Sequence, residues 1–189
     1  MAERSIEWQK GRYAVRYACI TVCFSRGRSG DAGQEKMKTG KALELRRQGN
    51  IGVAYTYNEP LVGYEYVRDT AALVRSVGMK NVIVTNGSVT EEVLEEILPF
   101  TDAMNIDLKG ITDAFYRSLG GDLETVKRFI KRAAPACHVE LTTLIVPGEN
   151  DSEGQMEQLA AWVAGVDDKI GRAARYGRAQ QDGQQAGRK

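Results

Sequence analysis

From Ile51 onward two periods take turns along the chain. Short runs of β-branched and aromatic residues alternate with longer stretches whose apolar positions recur every three or four residues. The first run holds Val53, Tyr55, Thr56 and Tyr57 and stops at Asn58-Glu59-Pro60. Pro60 has no amide hydrogen and biases Glu59 away from the helical region, so a strand ends there. Tyr64–Val77 carries Val67, Ala71, Val74 and Val77 at helical spacing, and Gly78 closes that helix. Val82–Thr85 predicts a second strand, closed by Asn86-Gly87. Thr90 is placed to cap a helix with an acidic first turn, Glu91 and Glu92, and an apolar face of Val93, Leu94, Ile97 and Leu98. A third strand, Ala103–Leu108, runs out into Asp107-Leu108-Lys109-Gly110. A short helix capped by Thr112 and a longer one over Leu123–Ala134 follow, then a fourth strand, Val139–Val146, stopped by Pro147-Gly148. Ser152 and Gln155 have capping-box spacing, and Met156, Leu159, Ala160 and Val163 carry the last helix to Gly165.

Strand starts fall roughly 20 to 36 residues apart, the length of βα units with crossover connections. About four such units are present, and a closed eight-unit barrel needs about 250 residues. The expected fold class is therefore α/β, an open or partial TIM-like barrel. Residues 1–40 show no sustained period, and Gly27–Gly33 reads as a loop. Ala42–Gln48 has the makings of a helical turn or two before Gly49. After Val166 the chain has little large apolar surface, and neither a strand nor ordered packing is expected there. The domain organisation expected is an irregular segment over 1–49, an α/β unit over 50–165 and a disordered tail over 166–189.

Charge sharpens this division. Residues 1–49 carry 11 Lys/Arg against 5 Asp/Glu, the middle 9 against 17, and residues 166–189 carry 6 against 3. The basic ends lack the interleaved aromatics of a single-strand binder, so no nucleic-acid partner is expected. No apolar run is long enough to span a membrane, and no apolar segment follows the N-terminal charges as in a secretory signal. Three cysteines, Cys19, Cys23 and Cys137, do not make a disulfide framework, and a reduced cytoplasm is the expected setting.

Parallel strands expose their C-terminal ends on one rim. That rim carries Asn58 and Glu59, then Thr85, Asn86 and Gly87, then Asn105, Asp107 and Lys109, with Thr142 and Thr143 on the fourth strand. Carboxylates, an ammonium, amides and hydroxyls converging there suit a ligand that itself bears an ammonium and a carboxylate. Asp107 and Lys109 also suit an ordinary structural ion pair, and Glu59 an ordinary turn residue. Cys137 reads as a buried structural thiol. His138 is the single histidine, so a His-based metal site or a Ser-His triad has little support.

Four ordered motifs, G-N-I-G-V-A-Y-T-Y-N-E-P-L (49–61), V-T-N-G (84–87), M-N-I-D-L-K-G (104–110) and C-H-V-E-L-T-T-L-I-V-P-G-E-N-D (137–151), carry a resemblance. Together they resemble the radical S-adenosylmethionine (SAM) enzymes related to pyruvate formate-lyase (glycyl-radical enzyme) activating enzymes, most of all the AmmeMemoRadiSam-system radical SAM protein. The resemblance implies a partial (βα)6 barrel and reductive SAM cleavage at a [4Fe–4S] cluster to give a 5′-deoxyadenosyl radical. It implies that Tyr57-Asn58-Glu59-Pro60 stands where the family has Gly-Gly-Glu-Pro, with Asn58 and Glu59 at the methionyl amino group. Thr85 and Asn86 would lie near the ribose, and Asp107 and Lys109 would match a D-x-K motif beside the cofactor. The implied partners are SAM, an electron donor such as flavodoxin or ferredoxin, and a protein substrate or small-molecule hydrogen-atom donor.

The cluster of this family sits on three thiolates in C-x3-C-x2-C. Cys19 and Cys23 have the first spacing, so they are the candidate metal ligands, but the third position is Arg26. A guanidinium cannot replace a thiolate, and no strand with the family's later histidine follows Gly165. A reading frame truncated or shifted at both ends is one expectation; a SAM-binding remnant without the cluster is another. Two further enzyme classes are weaker. A barrel glycosidase with Glu59 as acid/base needs a second carboxylate about 5–5.5 Å away, and Glu140 lies within its strand. A Schiff-base lyase on Lys109 is opposed by Asp107, which favours the charged amine.

Overall fold

Among the described residues six parallel strands follow one another in chain order across one sheet, and their common direction puts every strand exit on the same edge. A computed structural model describes residues 6–10, 13–17, 19–23 and 39–176, with side chains from 40 to 171. In chain order the elements are β1 (Ile6–Lys10), β2 (Tyr13–Tyr17), β3 (Cys19–Cys23), α1 (Thr39–Arg47), β4 (Gly52–Thr56), α2 (Tyr64–Ser76), β5 (Lys80–Thr85) and α3 (Glu91–Ile97). They continue with β6 (Ala103–Asp107), α4 (Asp113–Ser118), α5 (Leu123–Ala133), β7 (His138–Ile145), α6 (Glu153–Val166) and β8 (Gly171–Tyr176). Short 3-10 turns at Pro60–Gly63 and Leu98–Phe100 finish the exit from β4 and the end of α3.

β4 is buried on both faces, whereas β5, β6 and β7 each show one buried face and one half-open face. Ile83, Met104, Ile106, Val139, Leu141 and Ile145 are buried against the helices. Their partners in the packing are Val67, Ala71 and Val74 of α2, Leu94 and Ile97 of α3, and Val126, Phe129 and Ile130 of α5. Each fully buried side chain of this size contributes about 1.5–3 kcal/mol relative to exposure. The opposite face, with Val82, Val84, Asn105, Asp107, Glu140 and Thr142, is only half-buried, as in a barrel that has not closed. At the entry edge Asp102 accepts from Lys80 Nζ at 2.7 Å and from the Asn81 amide at 2.9 Å. Beneath it the Tyr55 hydroxyl donates to Asn81 Oδ1 at 3.1 Å, and burial pushes that phenol well above its ordinary value.

Helix ends follow the expected chemistry where side chains can reach. Thr112 and Asp122 accept from the amides of Phe115 and Thr125, and Ser152 with Gln155 forms a capping box. Thr90 is the N-cap residue of α3 but its side chain makes no bond to the helix amides. Its hydroxyl bonds the Glu92 carboxylate instead; after the bond from Glu92's own amide, this is the second influence holding that group below its usual range.

Two expectations are corrected here. The first 40 residues are not without regular structure: β1 and β2 pair antiparallel, and β3 pairs parallel with β4. The segment after Val166 is not wholly without a strand, because β8 pairs with β7 from Glu140↔Gly171 to Ile145↔Tyr176. Gly-Arg-Ala-Ala-Arg-Tyr carries no strand pattern of its own; the unpaired edge of β7 supplies the template. The Gly27–Gly33 loop and residues 177–189 of the tail lie outside the described residues. No helix among the described residues is long and apolar enough to cross a membrane.

The close approach of β4 and β5 gives the first prediction. A Cβ on Gly52 would stand 2.5 Å from the Lys80 carbonyl oxygen, whereas one on Gly40 in α1 meets nothing within 4 Å. Gly52→Ala should lower stability in denaturant titration by about 1–3 kcal/mol. Gly40→Ala should be neutral or raise it by up to about 1 kcal/mol.

Candidate functional site

The exit from β4 is unusual in its backbone. Tyr57 and Asn58 have φ of 67° and 50°, two successive residues other than glycine in the left-handed region. Asparagine tolerates this conformation, but tyrosine gains nothing from it. The chain then returns to extended backbone at Glu59, whose carboxylate is drawn across to the exit of β5. Glu59 Oε1 accepts from the Leu61 amide at 3.1 Å and from the Thr85 hydroxyl at 2.7 Å, and Oε2 accepts from the Asn86 amide at 2.8 Å. A carboxylate offers about four acceptor sites, and the bonds among the described residues use three of them.

The exits of β6 and β7 are joined in a similar way. Lys109 Nζ pairs with Asp107 Oδ2, each side chain 36% exposed. The Lys109 amide donates to the Tyr116 hydroxyl at 3.0 Å, and its carbonyl accepts from Asn150 Nδ2 at 2.7 Å. The same Asn150 nitrogen donates to the Leu144 carbonyl at 2.9 Å, and Asn150 Oδ1 accepts from the Val146 amide at 2.7 Å. Thr143 donates to the Leu108 carbonyl at 2.8 Å. Burial pushes the Tyr116 hydroxyl up to about 12, against the lowering effect of the Lys109 amide.

Glu59 and Lys109 thus stand on one edge, with Asn58, Asn86 and Asp107 beside them. Thr85 is on this edge but buried, its hydroxyl spent on Glu59 and on the Gly87 amide at 3.1 Å. Thr143 is also buried, on the helix side of β7, and is no rim group. Asn105 lies two residues inside the edge, bonded to Thr142 at 2.9 Å. Tyr116 and Asn150 were given no role by the sequence. A cleft of about 370 Å³ opens beside Lys109, walled by Asn86, Phe115, Tyr116, Leu144 and Val146 among others. A larger cleft of about 730 Å³ lies in the helix layer between α3 and α5, where charges of both signs line it. The smaller cleft is the better ligand site because Asn86 and Lys109 of the rim border it.

The backbone of β3 does not bring the candidate iron–sulfur ligands together. Cys19 and Cys23 occupy the two ends of β3, opposite Gly52 and Thr56. Four residues of strand put their Cα atoms about 13 Å apart, whereas thiolates sharing one cluster stand within a few ångströms of it. Cys23 is level with the ligand edge and Cys19 is at the other end of the sheet. Arg26 lies outside the described residues. Among the described residues no group of three His, Cys, Asp or Glu could hold a metal. Cys137 is half-buried just before β7, its thiol bonded to the Ala133 carbonyl at 3.7 Å.

A parallel α/β sheet that gathers its polar groups on the strand exits defines a ligand-binding half-barrel. Residues 36–160 match the Radical SAM superfamily, and the chain belongs to that family. It is 42% identical over 122 residues to an uncharacterized protein of Methanocaldococcus jannaschii, covering 64% of this chain and 35% of that protein. It is 28% identical over 115 residues to pyruvate formate-lyase 1-activating enzyme of Escherichia coli, covering 57% of this chain and 46% of the enzyme. The chain therefore spans less than half the length of these relatives. Among solved structures, a domain of pyruvate-formate lyase-activating enzyme from Bacteroides vulgatus superposes with a TM-score of 0.55 at 22% identity, covering 60% of this chain and 71% of that one. SuiB of Streptococcus suis bound to S-adenosylmethionine superposes with a TM-score of 0.60 at 12% identity, covering 73% of this chain and 32% of that one. Both support the half-barrel fold.

Thr85→Val should leave Glu59 Oε1 and the Gly87 amide each short of a partner, lowering stability by about 1–3 kcal/mol in denaturant titration. Cys137 gives a pH prediction. Burial first, then the Asp102 charge, pushes its thiol from 9.0 up to about 11. The buried neutral form stabilises the fold below the ordinary thiol value, and that contribution is lost as pH rises through about 11. Peptide mapping after iodoacetamide should therefore find Cys137 alkylated far more slowly at neutral pH than a model cysteine peptide, accelerating as pH approaches 11.

Proposed function

We propose that the strand exits of this chain bind S-adenosylmethionine, as the SAM-holding half of a radical SAM protein of the glycyl-radical activating-enzyme type. The observation that carries this is the pair of positive φ angles at Tyr57 and Asn58. These are the positions of the Gly-Gly in the family motif that the sequence resembles, and the backbone keeps glycine's conformation without glycine. Such geometry costs of order 1–3 kcal/mol per residue and persists where function needs it. With Asn58, the carboxylate of Glu59 suits the methionyl ammonium. Lys109, balanced by Asp107, suits the methionyl carboxylate. Asn86 suits the ribose, with Thr85 holding its strand exit, and the cleft walled by Phe115, Leu144 and Val146 suits the base. The motif order favours the AmmeMemoRadiSam subgroup.

Radical chemistry in this family needs the cluster as well as SAM. The placement of Cys19 and Cys23 at opposite ends of β3 supports assigning SAM binding rather than SAM cleavage to this polypeptide. A reductant such as flavodoxin or ferredoxin, and a hydrogen-atom donor, enter only with a cluster. The test is calorimetric titration of SAM into the full chain, repeated after anaerobic incubation with ferrous iron and sulfide. Saturable SAM binding without the visible absorption of an iron–sulfur cluster is the expected result. No saturation at millimolar SAM would refute the assignment. Cluster absorption with reductive formation of 5′-deoxyadenosine would replace it by the full enzymatic reading.

A further inference from the structure

The Leu108–Lys109 segment at the exit of β6 is held from three directions by side chains of three other segments. Tyr116 of α4 takes the Lys109 amide, Asn150 beyond β7 takes the Lys109 carbonyl, and Thr143 of β7 takes the Leu108 carbonyl. All three side chains are buried. The next residue, Gly110, leaves no room for movement on that side: a Cβ there would stand 2.9 Å from the Phe115 ring and 3.7 Å from Asn150 Cβ. Both polar groups of the Lys109 backbone are therefore committed, while its ammonium reaches Asp107 on the partly open face.

We propose that Tyr116, Asn150 and Thr143 are positioning residues for the Asp107–Lys109 pair. The inference rests on the reading that this rim binds SAM. A half-exposed ion pair is too weak to fix a long, flexible lysine, whereas buried hydrogen bonds to its backbone on both sides are not. The clasp sets where the Lys109 side chain begins, and the bond to Asp107 sets where it ends, so the ammonium is presented before a ligand arrives. Asn150 is the centre of the device. Its remaining bonds, to the Leu144 carbonyl and from the Val146 amide, tie the Lys109 backbone to the exit of β7. Those residues also wall the cleft beside Lys109, so one amide sets the spacing between the cation and the apolar wall.

Two variants of the full chain isolate the clasp. Tyr116→Phe removes the hydroxyl alone. Asn150→Asp keeps an acceptor for the Val146 amide but turns a carboxylate oxygen toward the two carbonyls. Each should weaken SAM binding about tenfold by calorimetry, with faster amide exchange at Lys109 and Gly110 and unchanged exchange at Ile83 and Met104 in the core strands. SAM affinity equal to wild type in both folded variants would overturn the proposal, as would exchange that rises uniformly through the sheet. If Asn150→Asp does not fold, Tyr116→Phe decides alone by the same readouts. If the wild-type chain itself binds no SAM, the functional reading fails and exchange decides the clasp. Faster exchange confined to Lys109 and Gly110 then supports it, and unchanged or uniform exchange overturns it.

Discussion

One carboxylate joins two strand exits, and the ligand edge depends on it. Where a parallel sheet ends, the amides that would have continued the ladder lose their partners, and each buried orphan costs about 1–3 kcal/mol. Glu59 supplies acceptors for Leu61, Thr85 and Asn86 from outside the ladder. Bonds to an ionised acceptor are about twice as strong as neutral ones, so a single side chain can hold the backbone after β4 and the backbone after β5 in one relation. Pro60 makes this possible by keeping Glu59 extended and by removing a competing donor. The residue that a ligand would use is thus the residue that builds the site.

The β6–β7 half of the rim solves the same problem with neutral groups. Its visible charges, Asp107 and Lys109, are each 36% exposed, and such a pair is worth about 0–1 kcal/mol. Order at Lys109 must come from its backbone, where Tyr116, Asn150 and Thr143 act. In both halves some of the partners come from a neighbouring element rather than from the strand being finished. The edge is therefore only as precise as the register of the sheet, and a one-residue slip in β6 would turn Asp107 to the helix side.

The alternation of periods was enough to place the four inner strands and the helices between them, because each buries an apolar face at its own period. It did not place the outer strands. Ile6, Trp8, Tyr13, Val15 and Tyr17 do alternate, but over runs too short to stand out from an irregular background. Gly171–Tyr176 has almost nothing to alternate and is ordered by its neighbour. At the site, the end of each strand was legible from Pro60, Gly87 and Gly110, and with it the edge carrying Glu59 and Lys109. Which face each residue takes was less well read. Thr142 and Thr143 are adjacent in a strand and cannot both point to the ligand side; Thr143 is the one turned to the helices. Tyr116 and Asn150 were beyond reach, since their bonds to Lys109 span 7 and 41 residues and nothing local marks them.

The proposed SAM site and the two candidate cluster cysteines belong to different parts of the sheet. Between Cys19 and Cys23 stand Ile20, Thr21 and Val22, three β-branched residues that favour extended backbone and resist the tight curl of a cluster loop. β3 accordingly runs straight alongside β4, and its cysteines are held at its two ends. Among the described residues, the ties that shape the ligand edge lie between other elements. Glu59 works between β4 and β5, and the Lys109 clasp works between β6, α4 and the exit of β7. The proposed SAM-binding edge is thus held by Glu59 and by the Lys109 clasp, and neither set of bonds involves Cys19 or Cys23.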